Sequence, residues 1–194
     1  MDSSVLKFSD IVAARSTLRG VAKLTSISHS KSFSQMSGSN IFMKLENMQT
    51  TGAFKVRGAY NKLANLSPEE RAKGVVAASA GNHAQGVAFS ATKLGMQSTI
   101  FMPIFTPPLK VLATKGYGAN VVLTGESFDD SFLASQEYTK QHDASYIHPF
   151  NDPLIIAGQG TIGLEIYEQQ PDVDAVIVPI GGGGLIAGIA MAIK

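Results

Sequence analysis

No cysteine occurs among the 194 residues, which excludes a disulfide framework, a thiolate metal site and a cysteine nucleophile. Charge of one sign is not in excess either. Only 16% of residues are charged, and 16 Lys plus Arg stand against 15 Asp plus Glu, a balance that gives no footprint for nucleic acid or an anionic membrane. A hydrophobic content of 44% excludes the composition of disorder. The opening MDSSVLKFSD lacks a basic segment followed by an apolar run, so no secretory leader is expected and the expected location is cytoplasmic. Long apolar runs are scarce. The one candidate, Ala175 to Ile193, is uncharged and nearly as long as a bilayer span, but Pro179 and the four glycines from Gly181 interrupt it. A spanning helix broken there would leave backbone groups unpaired in lipid. The segment therefore reads as a buried strand, a glycine turn and a buried helix, with no membrane partner. The GxxxG from Gly184 to Gly188 then reads as close strand–helix packing.

Glycine, by contrast, is plentiful, with 19 residues, and from about residue 41 short apolar runs alternate with longer segments of helical period. The strand candidates are IFMKLE (41–46), GVVAAS (74–79), STIFMP (98–103), NVVLTG (120–125), SYIH (145–148) and AVIVPI (175–180). Most are continuous Val, Ile and Ala runs, as strands covered by helices on both faces require. Helix starts are marked by the capping box SPEE at Ser67 and by Asp152-Pro153, whose helix should stop at Pro171. A parallel, doubly wound α/β architecture follows.

Three glycine-containing turns stand at or near strand ends and open a helix, the place where parallel α/β folds bind ligands. In TGAFKVRG, Gly52 permits a tight turn and Lys55 falls in the first helical turn. SAGNHAQG follows VVAA and sets Ser79, Asn82 and His83 with free N–H groups at a helix start, an arrangement suited to a carboxylate. For any one of those residues alone, an ordinary Ser/Asn cap with a histidine in the first turn is the better explanation. GGGGLIAG follows AVIVPI, and its four glycines let successive N–H groups converge beneath the positive end of the helix that begins near Leu185. That makes a phosphate cradle. Gly182, Gly184 and Ala187 also fit the G-x-G-x-x-A pattern of a dinucleotide-binding dehydrogenase, but its acidic partner would fall beyond Lys194. Taken together, the turns suit a phosphorylated cofactor, an amino acid and an imine-forming amine.

Four segments carry a resemblance along essentially the whole chain and in the same order: ENMQTTGAFKVRGA, SAGNHAQG, AGQGTIGLEI and VPIGGGGLIAG. They resemble the signature segments of fold-type II pyridoxal-phosphate enzymes, specifically the serine/threonine dehydratases (threonine ammonia-lyases) and their relative serine racemase. The resemblance implies pyridoxal 5'-phosphate as cofactor, with Lys55 as its Schiff-base lysine, Phe54 against its ring and Asn82 on its 3′-oxygen. Gly181, Gly182, Gly183, Gly184 and the Leu185 N–H would hold its phosphate. Ser79, Ala80, Gly81, Asn82 and His83 would form the loop that receives the substrate carboxylate. It also implies deamination of L-threonine, and of L-serine, to a 2-oxo acid and ammonia, with Lys55 removing the α-proton. A homo-oligomer, dimer or tetramer, of the full-length protein is expected on the same ground, and no metal site is assigned.

Two departures refine the expectation. Serine racemases carry a serine where this chain has Ala80, so elimination is favoured over racemisation; His83-Ala84 in place of a threonine-glycine pair separates the chain from the cysteine synthases. Family members also continue beyond the tetraglycine helix with further strands and the residue that meets the pyridine nitrogen. Residues 1–70 and 151–194 are accordingly read as an incomplete cofactor domain and 71–150 as a smaller α/β domain. Besides the dehydratase, a racemase, a non-catalytic cofactor-binding module and a dehydrogenase fragment stand as alternatives, and the 194 residues alone are expected not to turn over.

Overall fold

The computed structural model describes residues 6–194. Residues 1–5, part of the segment read above for a leader, lie outside the described residues. The chain opens with α1 (Phe8–Thr17), then β1 (Ile27–His29), α2 (Lys31–Ser37), β2 (Phe42–Lys44), a 3₁₀ turn (Glu46–Met48) and α3 (Lys55–Ala64). There follow α4 (Pro68–Lys73), β3 (Val75–Ala78), α5 (Asn82–Lys93), β4 (Ser98–Met102), α6 (Pro108–Gly116), β5 (Asn120–Leu123), α7 (Phe128–His142) and β6 (Ser145–Tyr146). Two helices, α8 (Pro153–Gln169) and α9 (Gly184–Ile193), complete the order.

Four strands form a parallel sheet in the order β5-β4-β3-β6, with Val75 of β3 opposite both Ser98 and Ser145. Every residue of β3 and β4 is buried, which is why those runs show no polar alternation. Helix starts follow the sequence signals. Ser67 Oγ accepts from the Glu70 N–H while the Glu70 carboxylate accepts from the Ser67 N–H, closing the capping box. Asp152 likewise accepts from the Leu154 and Ile155 N–H groups at the head of α8.

The chain runs from β3 to β4 and β5 on one side and returns with β6 on the other. The order therefore reverses between β3 and β6, and the loops after those two strands flank the crevice where such sheets bind ligands. Packing brings α3 to the same place. The main core cluster joins Leu63 of α3, Val87 of α5, Ile100 of β4 and Ile155 of α8. Small residues set the spacing: a Cβ at Gly158 of α8 would lie 2.6 Å from the Arg57 carbonyl oxygen, and one at Gly86 of α5 3.2 Å from the Lys55 carbonyl carbon.

Three expectations are corrected. Residues 175–180 form no strand: a ladder needs a neighbouring backbone, and none of the described residues supplies one. They run over an apolar cavity of about 490 Å³ between the β1–β2 pair and helices α8 and α9, with Ile177 91% exposed. The 41–46 strand shortens to β2 and pairs antiparallel with β1, an element absent from the sequence reading because Ile27–His29 has only one apolar residue. Finally, Gly188 packs helix on helix, where a Cβ would meet the Ile156 carbonyl oxygen of α8 at 2.5 Å. No helix among the described residues is long and apolar enough to cross a membrane.

Candidate active site

Gly52 adopts φ +72°, the left-handed turn expected of it, and the next residues wind directly into α3 with Lys55 as its first residue. The Lys55 amine is half-buried and donates to the Pro149 carbonyl oxygen at 2.7 Å. Burial lowers its pKa from the ordinary lysine value, because desolvation penalises the ammonium and not the neutral amine. Its Nζ lies 5.4 Å from the centroid of the Phe54 ring.

Pro149 belongs to the turn after β6, and that turn ties the site together. His83, in the first turn of α5, is buried with Nε2 3.0 Å from the Ile147 carbonyl oxygen. A carbonyl only accepts, so Nε2 carries the proton and donates. Burial pushes the His83 pKa down to about 4, with the hydrogen bond to Ile147 opposing the shift and Lys55 and His148 adding to it. The imidazole is neutral at pH 7 and turned into the core, which leaves the His83 backbone N–H, not the ring, for a carboxylate. His148 Nδ1 accepts from the N–H groups of Phe150 and Asn151 at 3.2 and 2.8 Å, fixing the turn. Burial again lowers the His148 pKa, against the field of Asp152.

Phe150 reaches the glycine turn. A Cβ at Gly182 would lie 2.3 Å from the Phe150 ring, and one at Gly184 2.7 Å from the Phe150 carbonyl oxygen, so both positions are glycine because Phe150 occupies the space. Gly181 and Gly183 face no atom within 4 Å, and Gly183, at φ +85°, swings the chain into α9. No side chain caps α9, and its first N–H groups, including that of Leu185, have no intrahelical partner. The open backbone at Gly181 and Gly183, at a helix start and linked through Phe150 to the Lys55 turn, fits a phosphorylated aldehyde cofactor.

One detail of the carboxylate loop is corrected. The Ser79 N–H is not free, because the β3–β4 ladder continues for one residue and that group donates to the Phe101 carbonyl oxygen at 3.1 Å. Ser79 Oγ accepts instead from the Gly81 N–H at 3.3 Å. The helix-start N–H groups of Asn82 and His83 lie beyond it, and Asn82 is exposed. Phe54 and Leu185 line the 490 Å³ apolar cavity, whereas Lys55, Asn82 and the four glycines do not.

Two groups escaped the sequence reading. The HPFN turn was read only as a strand end before a helix, although His-Pro-Phe between β6 and the Asp152 cap was the available signal. Arg57, two residues after Lys55, is buried and paired with Glu46 and Glu165, which are distant in sequence.

The turn after β6, at the sheet's switch point, holds the desolvated Lys55 amine and packs on the glycine turn before α9, which makes a candidate lysine-anchored, phosphate-binding α/β site. A family model described as pyridoxal-phosphate dependent enzyme matches residues 19–194, and the chain belongs to that family, with pyridoxal phosphate as cofactor. It is 52% identical over 190 residues to L-threonine ammonia-lyase of Thermotoga maritima, covering 98% of this chain and 47% of that protein. The structure of the processed form of threonine deaminase isoform 2 from Solanum lycopersicum matches with a TM-score of 0.91 at 44% identity, over 95% of this chain and 50% of that one. Maize serine racemase matches with a TM-score of 0.94 at 39% identity, over 97% and 57%. The chain thus spans about half the length of the relatives it matches.

Proposed function

We propose that the protein deaminates L-threonine, and L-serine, to a 2-oxo acid and ammonia. The observation that carries this reading is the half-buried Lys55 amine, held by the same turn that packs on the glycine cradle. The names of the relatives support it, threonine ammonia-lyase being one. When bound, the cofactor supplies an aldehyde for amines and an electron sink for the carbanion at the substrate α-carbon.

Around that chemistry, each residue has a part in the proposal. The backbone N–H groups from Gly181 to Leu185 hold the phosphate, Phe54 bounds the ring face and Asn82 donates to the ring oxygen. The loop from Ser79 to His83 takes the substrate carboxylate through its free helix-start N–H groups, those of Asn82 and His83. Lys55, whose pKa is lowered by burial, accepts the α-proton. Ala80 presents only a methyl group, so that side chain has no proton to give to the opposite face, and elimination is preferred to the racemisation that the maize relative's name describes. Residues 71–150 would close over the substrate as a unit against 1–70 and 151–194.

Borohydride reduction in the presence of pyridoxal phosphate, followed by peptide mapping, tests the assignment. The pyridoxyl group is expected on Lys55, and Lys55→Ala is expected to abolish it while leaving the helical signal intact. A label on Lys44, Lys62 or Lys110 instead overturns the reading. In an extended chain of the length of the relatives, 2-oxo acid should form from L-threonine far faster than inverted amino acid.

A further inference from the structure

Arg57 heads the fully buried side chains among the described residues by volume, at 1% exposure, although its charge cannot be shed. Its Nε and Nη2 donate to the two Glu46 oxygens at 2.9 and 2.8 Å, and Nη1 and Nη2 to the two Glu165 oxygens at 2.6 and 2.9 Å. Thr161 Oγ1 and the Lys23 carbonyl oxygen accept further bonds, each at 3.2 Å. Lys44 pairs with Glu165 at 2.5 Å and donates to the Thr25 carbonyl oxygen and to Gln169. Two cations and two anions thus close into a neutral quartet. Burial alone would lower the Arg57 pKa, but its bonds to the Glu46 and Glu165 carboxylates and their charge outweigh it and hold the pKa above its ordinary value.

A buried ion cluster contributes little net stability over an apolar replacement, because desolvation offsets the Coulomb attraction. What a doubly forked guanidinium does supply is fixed geometry. The first turn of α3 has need of it: Phe54, its N-cap, offers no side-chain hydrogen bond. Arg57 also lies about 200° around the helix axis from Lys55. Clamping one side of the turn to the 3₁₀ segment through Glu46, and to α8 through Glu165 and Thr161, therefore sets the direction of the other side.

We propose that the Arg57, Glu46, Glu165 and Lys44 quartet is a positioning device for the reactive amine, fixing the rotation and height of the first turn of α3 so that Lys55 meets the 147–151 turn. This inference rests on the reading of Lys55 as the cofactor-anchoring lysine. Arg57→Lys keeps the charge but removes the fork; Glu46→Asp keeps all four charges and withdraws one arm by a methylene.

The test measures initial rates of pyridoxal phosphate labelling, trapped with borohydride across a pH series, at Lys55 and at exposed Lys93 in the same sample. Circular dichroism and thermal melting are recorded alongside. Both variants are expected to keep their helical signal and the Lys93 rate, while the Lys55 rate falls about tenfold or more through misplacement of the amine. The pH midpoint of Lys55 labelling should also rise as the amine leaves its half-buried position. A folded variant with the native Lys55 rate and midpoint overturns the proposal. If Arg57→Lys loses its helical signal, Glu46→Asp decides alone. Failure of the native chain to label Lys55 at all would instead overturn the functional reading on which the inference rests.

Discussion

His83 is a neutral, buried imidazole whose proton-binding differs between the folded and unfolded chain. Its pKa falls from the ordinary 6.5 to about 4, so between those values the unfolded chain binds more protons and stability drops as pH falls. The loss begins below the unfolded pKa and is complete below the folded one; a shift of this size corresponds to roughly 3 kcal/mol. Urea midpoints at pH 7 and pH 4.5 measure it. His83→Gln is expected to flatten that interval relative to the native chain, with the Lys55 label retained, because only the backbone of residue 83 is assigned to the substrate. An unchanged pH slope in the variant would place the acid sensitivity elsewhere. Residue identity gave part of this in advance: the resemblance carried by GAFKVRGA and GGGGLIAG singles out Lys55 and the glycines as candidates. The ring of His83 does not, because its partner is a carbonyl 64 residues away.

Among the elements, the glycine turn before α9 divides into two kinds of position. Gly182 is filled in by Phe150, whereas Gly181 faces open space. Gly182→Ala is therefore expected to displace the Phe150 ring and weaken pyridoxal phosphate binding by about tenfold or more through misplacement of the cradle. Gly116→Ala, where a Cβ also meets no atom within 4 Å but which lies in α6 outside the cradle, should change it by no more than about twofold, a few tenths of a kcal/mol. Absorbance titration of both variants checks the contrast; equal losses would mean that Phe150 does not brace the turn. Local signals predicted elements well where the cause is local. Ser67 with Glu70 and Asp152 with Pro153 cap helices by bonds within a turn, and β3 and β4 read as buried because they are. The run at 175–180 has the same composition but no pairing partner among the described residues, and pairing is a property of two segments. The Arg57 quartet was hidden for the same reason, since its carboxylates lie 11 and 108 positions away.

Across the whole molecule, the apolar cavity beneath residues 175–180 leaves Ile177 and Ile180 open to water. Apolar area carries about 25 cal/mol per Å² of incentive to be covered, and contiguous exposed patches drive association. Sedimentation over a concentration series is expected to show self-association of this chain, and Ile177→Lys should shift it towards monomer without altering the labelling of Lys55. A native chain that stays monomeric at high concentration would contradict this.

The 147–151 turn draws its partners from far along the chain, 64 residues back to His83 and 94 to Lys55. Loops of that length close only after the shorter ones, since each closure must first meet an entropy cost before its contacts form. Until that turn docks, a folding chain lacks the Pro149 and Ile147 carbonyl oxygens that hold Lys55 and His83. During that interval Lys55 is an ordinary, solvated ammonium that reacts with aldehydes like the exposed Lys93, and its distinct reactivity appears only when that long-range contact is made.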